Sequence, residues 1–176
     1  MFRNHGVTRD NLRNPSPGGW YYEMQELGLN YRLTDIQCAL GIHQLQKLDG
    51  FIDARHERVA RYEAAFKDIS QLRLPVEREG VRSGWHIYPV RLQGELATRR
   101  ADVFRMLREA GIGVQVHYIP VHWHPYYEDL GYKKGTCPKA EAYYEAEISL
   151  PLFPGLTEQD QETVIVQVKK IISSLL

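Results

Sequence analysis

The C-terminal half of this 176-residue chain alternates between the two periodicities that distinguish strands from helices. Residues 85–92 alternate and predict a strand, and residues 98–110 carry an apolar face at helical spacing that ends at Gly111. The same order then repeats, with a strand over 112–118, a helix from Pro138 to about 147, a strand over 148–153 and a helix capped by Thr157. Three strand–helix pairs predict an α/β domain, a short sheet with helices packed on it.

Single residues refine the first of these pairs. Tyr88, Val90 and Leu92 fall on one face of the first strand. Pro89 indicates an edge position or a distorted strand, because proline cannot donate a hydrogen bond to a neighbouring strand. Thr98 has the residue type that caps the start of the following helix.

Two further helices precede this domain. Thr34 and Gln37 have the spacing of a capping box, in which each side chain bonds the other residue's backbone. The helix that follows carries its apolar residues at roughly helical spacing: Ile36, Leu40, Leu45 and Leu48. Gly50 predicts a break or a kink between this helix and the next, and residues 51–66 predict the second helix. The residues before Thr34 are irregular, with a proline- and glycine-rich loop over 14–19.

Positive and negative charges balance in this chain. Lys+Arg and Asp+Glu each number 22, so the basic excess of a nucleic-acid-binding protein is not indicated. Cys38 and Cys137 lie far apart, which favours a reducing cytoplasm over a disulfide framework. No apolar run is long enough to span a bilayer, and none follows the polar N-terminus as it would in a signal peptide. We therefore expect a cytoplasmic protein without nucleic-acid or membrane partners.

The segment Gly28–Asp35 places polar side chains just ahead of the first capped helix. Backbone amides at a helix start favour anions, and the guanidinium of Arg32 suits phosphate. An anion site is one interpretation. In the other, Asn30 makes a turn and Arg32 pairs with a carboxylate, and the residues by themselves favour this structural role.

Histidines and aromatic residues cluster over residues 117–127, at the end of the second predicted strand. His117, His122 and His124 have the donor type that zinc takes, but no cysteine or carboxylate lies nearby at typical ligand spacing. A pocket wall that hydrogen-bonds a polar ligand fits better than a metal site. A loop ordered by aromatic packing is the structural alternative.

Five segments carry a specific resemblance through their order and spacing: residues 28–45, the helix around Arg55, and residues 85–88, 111–127 and 149–152. Together they resemble the sugar-nucleotide aminotransferases of the DegT family, which have the aspartate-aminotransferase-like fold. The resemblance covers nearly the whole chain. Within the family, residues 117–127 and 138–154 most resemble the enzymes of pseudaminic acid synthesis.

The resemblance implies a transaminase that uses pyridoxal 5'-phosphate and forms homodimers with shared sites. It implies glutamate as the amino donor and a UDP-linked 4-keto-6-deoxy sugar of bacterial surface-sugar synthesis as the acceptor. Asn30 resembles the asparagine that reaches the cofactor phosphate across the dimer, and Arg32 resembles its basic companion near the phosphate or the diphosphate. Four residues resemble residues of the substrate site: His117, Tyr118, His122 and His124.

The resemblance also implies that this chain lacks the lysine that holds the cofactor as a Schiff base. In the family that lysine lies in a large N-terminal domain, and none of the seven lysines here corresponds to it. We therefore expect no catalytic residue in this chain, no activity of the chain alone, and an internal position for Met1 in a longer enzyme. The expected parts are the end of the large domain (1–33), linker helices (34–70) and the small C-terminal domain of a fold-type I enzyme (71–176).

Two functions of other classes remain as alternatives. One is a non-catalytic module that binds a sugar nucleotide or mediates dimerisation. The other is a metal-binding domain built on the three histidines of residues 117–127.

Overall fold

The computed structural model describes residues 1–14 and 18–176, which fall into two compact units, Met1–Leu48 and Asp49–Leu176. Three residues of the loop predicted over 14–19, namely Pro15, Ser16 and Pro17, lie outside the described residues. The assignment of residues 1–33, 34–70 and 71–176 to parts of a longer enzyme stays a prediction.

The N-terminal unit contains a short antiparallel pair and one helix. Strand β1 (Val7–Thr8) pairs with β2 (Glu23–Met24), and helix α1 spans Asp35–Leu45. The capping box of α1 is confirmed, because the Thr34 side chain accepts from the Gln37 backbone and Gln37 accepts from the Thr34 N–H. Every residue of α1 is exposed.

The predicted break at Gly50 is wrong. Helix α2 spans Leu48–Phe66 and includes Gly50, and the break between α1 and α2 falls at Gln46 and Lys47. Gln46 ends α1 by donating its backbone N–H to Ile42 and Gln44. A glycine inside a helix costs only about 1 kcal/mol, which the packing of α2 offsets.

The C-terminal unit is built on a three-stranded antiparallel sheet. Its order is β3 (Leu72–Arg73), β4 (Tyr88–Leu92) and β5 (Glu147–Leu150). The predicted alternation in β4 is confirmed, because Tyr88, Val90 and Leu92 are buried. The predicted edge position is wrong, because β4 is the central strand of this sheet. Pro89 is still compatible with it, because β3 pairs only with Arg91 and Leu92 and no hydrogen bond is required from Pro89 on that side.

Four α-helices follow β4, and with the sheet they confirm the expected α/β class: α3 (Arg100–Glu109), α4 (Pro125–Asp129), α5 (Pro138–Ala146) and α6 (Glu158–Ser174). Helices α2, α3 and α6 contribute buried apolar residues to one core with β4 and β5. Tyr62 of α2 stacks on Phe66 and Tyr88 and donates its hydroxyl to Pro151. No helix in the described part of the chain is both long and apolar enough to cross a membrane.

Thr98 does not cap α3 as expected. It lies inside a 3-10 helix, Gly94–Arg99, and donates its hydroxyl to the Glu95 carbonyl. The predicted end of the helix is confirmed, because Gly111 has φ +81, a conformation that glycine adopts without a Cβ clash.

The strand predicted over residues 112–118 is not formed. Ile112 and Val114 are buried as expected, but only Gln115 pairs with the sheet, in a single bridge to Ser149. Two residues later the backbone N–H of His117 bonds the Glu147 side chain instead of a backbone carbonyl. The Glu147 carboxylate therefore takes the place of the next backbone acceptor, and the strand pairing ends there.

We expect Thr157→Ala to lower the free energy of unfolding by about 1 kcal/mol. The Thr157 hydroxyl oxygen caps α6 by accepting the Asp160 backbone N–H, which alanine leaves unpaired. Thr163→Ala is the matched control, because Thr163 is exposed inside the same helix, where alanine has the higher propensity. Urea denaturation measures both variants, and an equal loss in each would contradict the capping argument.

Candidate functional site

Asn30 and Arg32 lie in a segment that is held in place by backbone hydrogen bonds. Leu29 donates to Phe2 at 2.7 Å and accepts from His5 at 3.0 Å, and Asn30 forms a single antiparallel bridge with Asn4. The Arg32 guanidinium lies 3.2 Å from Nε2 of His5. Both predicted residues are exposed, so their side chains are accessible to a ligand.

Two glycines allow this close backbone approach. A Cβ on Gly6 would lie 1.7 Å from the Glu26 carbonyl oxygen, and one on Gly28 would lie 2.1 Å from the Gly6 nitrogen. Gly6 also has φ +71. No other residue type fits at either position without moving the backbone, so these glycines determine where Asn30 and Arg32 lie.

Sequence reasoning missed Glu23, a buried carboxylate of β2 that accepts several hydrogen bonds within the N-terminal unit. It accepts the backbone N–H groups of Arg13 and Asn14, each at 2.7 Å, and the side chains of Tyr21 and Gln25. The backbone bond from Arg13 and the side-chain bond from Gln25 lower its pKa from 4.5 to about 2, and burial opposes them. A carboxylate in a short apolar-flanked strand was the available signal, because a buried charge needs partners.

We expect the hydrogen bonds that Glu23 accepts to be lost in acid. Since the pKa of Glu23 is lower in the folded chain, its ionised form stabilises the contacts with Arg13, Asn14 and Gln25 above about pH 4.5, and this stabilisation is lost as the pH falls toward 2. The NMR signals of the Asn14 and Gln25 side-chain amides should change over that window. Glu23→Gln removes the titrating group, so the same acid transition in that variant would contradict the assignment.

His117 is held by two residues of β5 in the C-terminal unit. Its backbone N–H donates to Oε2 of Glu147 at 2.8 Å, and its Nδ1 lies 2.8 Å from the Ser149 hydroxyl. Ser149 in turn donates its hydroxyl to the other oxygen of Glu147. Tyr118 packs edge-on against the His117 ring, with centroids 4.5 Å apart, and is exposed.

The other two predicted histidines have different surroundings. His122 is buried, and its Nε2 lies 2.6 Å from the Glu141 carboxylate, which also accepts the backbone N–H groups of Gly135 and Cys137. Burial raises the pKa of Glu141, but the hydrogen bonds from His122, Gly135 and Cys137 outweigh it, so the pKa is lowered. His122 thereby holds the loop before α5. His124 is exposed at the start of α4.

The structure does not bring the three histidines together as a metal site. No group of three or more metal-ligating side chains occurs within residues 1–14 and 18–176. His117 and Tyr118 are the predicted substrate residues that adjoin each other around a buried polar network. Glu147 and Ser149, which form that network, were not predicted as site residues, although a carboxylate at the start of an apolar strand indicates a polar cluster.

The sequence profile of the DegT/DnrJ/EryC1/StrS aminotransferase family matches residues 1–169. The spore coat polysaccharide biosynthesis protein SpsC of Bacillus subtilis is 39% identical over 96% of this chain and 44% of its own length. The UDP-4-amino-4,6-dideoxy-N-acetyl-beta-L-altrosamine transaminase of a Campylobacter jejuni strain is 34% identical over 93% of this chain and 42% of its own length.

Two solved structures share the fold. PseC of Helicobacter pylori, an aminotransferase of pseudoaminic acid biosynthesis, has a TM-score of 0.82 and 30% identity over 98% of this chain and 44% of its own. The sugar aminotransferase Spr1654 of Streptococcus pneumoniae, solved in its PLP-form, has a TM-score of 0.84 and 30% identity over 99% of this chain and 42% of its own. This chain thus spans less than half the length of these relatives.

The resemblance inferred from ordered motifs is therefore confirmed over nearly the whole chain, and the cofactor that this family uses is pyridoxal phosphate. The chain belongs to the DegT/DnrJ/EryC1/StrS aminotransferase family.

Proposed function

We propose that this chain is the C-terminal portion of a sugar-nucleotide transaminase of bacterial surface-sugar synthesis, working in the cytoplasm. The amino group comes from glutamate and goes to a UDP-linked 4-keto-6-deoxy sugar. The family match over residues 1–169 carries this proposal. The Campylobacter jejuni and Helicobacter pylori relatives support the sugar and the pathway.

Asn30 and Arg32 would hold the cofactor phosphate. The donors present fit a phosphate, because an amide and a guanidinium are both exposed on a backbone segment fixed by main-chain hydrogen bonds. His5, 3.2 Å from Arg32, adds a third polar group. When bound, the cofactor supplies an electron sink, while these residues orient it through its phosphate.

His117 and Tyr118 would line the sugar site. Glu147 and Ser149 fix the orientation of the His117 ring, and Tyr118 presents an exposed phenol beside it. Weaker substrate contacts are assigned to His122 and His124. His122 bonds Glu141 through Nε2, so this nitrogen would act by holding the loop before α5.

The reacting lysine would come from a large domain outside this chain. Asn30 and Arg32 lie in the N-terminal unit, whose one lysine is Lys47. Lys47 lies in the turn between α1 and α2. The chain alone would therefore bind and orient but not transfer amino groups.

The test combines pyridoxal phosphate, glutamate and a UDP-linked 4-keto-6-deoxy sugar with the purified chain. We expect no amino transfer and no cofactor fixed by borohydride. The DNA upstream of the Met1 codon is expected to encode a lysine-bearing domain, and expression of the two together should give transamination. Activity of the chain alone would contradict the dependence on that domain, and an inactive joined protein would overturn the transaminase assignment.

A non-catalytic module that binds a sugar nucleotide is the second candidate. The polar network around His117 lies entirely within the C-terminal unit, which favours it. Calorimetry with UDP-N-acetylglucosamine tests this candidate, because the absence of any heat of binding at millimolar ligand would exclude it.

We also expect the isolated chain to self-associate. Residues 27–48 expose a run of large apolar side chains, among them Leu27 at 85%, Ile36 at 82% and Tyr31 at 78%. Uncovered apolar surface of this kind favours association, and we propose that the complete enzyme is a homodimer, as the family resemblance implies. Light scattering should give a mass above the 20.4 kDa of one chain, and Ile36→Glu should reduce it. A monomer at all concentrations would contradict this.

A further inference from the structure

A chain of hydrogen bonds determines which nitrogen of His117 carries the proton. The buried carboxylate of Glu147 accepts at both oxygens, from the His117 backbone N–H and from the Ser149 hydroxyl. A hydroxyl has one proton to donate, so Ser149 has none left for His117. With Glu147 ionised and therefore only an acceptor, the 2.8 Å contact between Ser149 Oγ and His117 Nδ1 is donated by Nδ1–H.

We propose that Glu147 and Ser149 are positioning residues that hold neutral His117 as its Nδ1–H tautomer. The opposite ring nitrogen, Nε2, then carries a lone pair and acts as a hydrogen-bond acceptor. Within the described residues Nε2 contacts no hydrogen-bond partner, and the ring is half-buried. Nε2 therefore accepts a hydrogen bond from a hydroxyl or N–H group of the ligand. This assignment rests on the proposed function, in which the sugar supplies such groups.

We call the hydrogen bonds from His117 Nδ1–H to Ser149 and from Ser149 to Glu147 the relay, and its surroundings keep the direction of these bonds fixed. Glu147 is completely buried and Ser149 is 4% exposed, so water does not compete for their hydrogen bonds. The backbone of Ser149 exchanges both of its hydrogen bonds with Gln115, which holds the strand carrying the hydroxyl against the segment that carries His117. This backbone pairing therefore keeps Ser149 within hydrogen-bonding distance of His117.

Replacing the carboxylate by an amide should reverse the relay. In Glu147→Gln the amide oxygen still accepts the His117 backbone N–H, but the amide NH₂ donates to Ser149 Oγ. The Ser149 hydroxyl then donates to Nδ1 of His117. Because Nδ1 is now the acceptor, the neutral ring carries its proton on Nε2. A residue that only filled space would not change the tautomer.

NMR of the full chain with ¹⁵N-labelled histidine tests the proposal at a pH where the ring is neutral. His117 is assigned by the signal lost in His117→Gln. We expect the population of the Nδ1–H tautomer to exceed that of the Nε2–H tautomer by roughly tenfold, because one hydrogen bond to the Ser149 hydroxyl favours the first tautomer by about that factor. Glu147→Gln should give Nε2–H, Ser149→Ala should lose the Nδ1–H preference, and Ser149→Thr, which keeps the hydroxyl, should retain it.

An Nε2–H tautomer in the unmodified chain would overturn the proposal, as would an unchanged tautomer in both Glu147→Gln and Ser149→Ala. The spectra need neither cofactor nor sugar. A failure of amino transfer would therefore leave them unaffected, and a wrong tautomer would leave the transaminase assignment standing.

Discussion

Replacing Phe66 by alanine is expected to lower the free energy of unfolding of the C-terminal unit by about 3–5 kcal/mol. Phe66 is completely buried at the end of α2 and stacks on Tyr62, with ring centroids 5.6 Å apart. Tyr62 stacks in turn on Tyr88 of β4. Removing the ring leaves a cavity beside this aromatic stack, and the loss is a large part of the 5–15 kcal/mol typical of a domain.

Phe153→Ala is the matched control for this substitution. It makes the same chemical change at a side chain that is 49% exposed, so we expect a loss within about 0.5 kcal/mol. Urea denaturation followed by far-UV circular dichroism measures both variants. Equal losses would show that Phe66 does not hold the core together, and a changed dependence on urea would point instead to an altered unfolded state.

Replacing Arg32 by alanine in the complete enzyme is expected to weaken the binding of pyridoxal phosphate by about 10- to 100-fold. This follows from the proposal that Arg32 contacts the phosphate, because a charge-assisted hydrogen bond contributes about 1.5–3 kcal/mol. Its guanidinium is exposed and lies 3.2 Å from Nε2 of His5. Titration of the apoenzyme, followed by cofactor absorbance, gives the Kd.

Two variants separate a specific contact from a change in net charge. Arg32→Lys keeps the charge but loses the planar pair of donors, so we expect an intermediate Kd. Arg9→Ala removes one charge from another exposed position of the same unit and should leave the Kd within about twofold. If Arg9→Ala and Arg32→Ala weakened binding equally, the contact assigned to Arg32 would be wrong.

Local features of this protein were predicted well from its residues. The capping box at Thr34, the cap at Thr157, the glycine end at Gly111 and the buried alternation of β4 all appear in the structure. Each depends on contacts within about four residues or on the period of a single element, so neighbouring residues are sufficient. The family was likewise recognisable, because the order of its segments is itself a property of the sequence.

The site network depended on the tertiary structure. Glu147 and Ser149 reach His117 across 30 and 32 residues, and His122 meets Glu141 across 19. No periodicity encodes such pairs. The contacts of His117 form only when the antiparallel sheet sets the register of β5 against the segment at Gln115, and the contact of His122 forms only when α5 lies beside residue 122. The strand expected over 112–118 was wrong for the same reason. The pattern of residues 112–118 records which side chains are buried, whereas only the folded chain determines whether a backbone or a carboxylate accepts the hydrogen bond of His117.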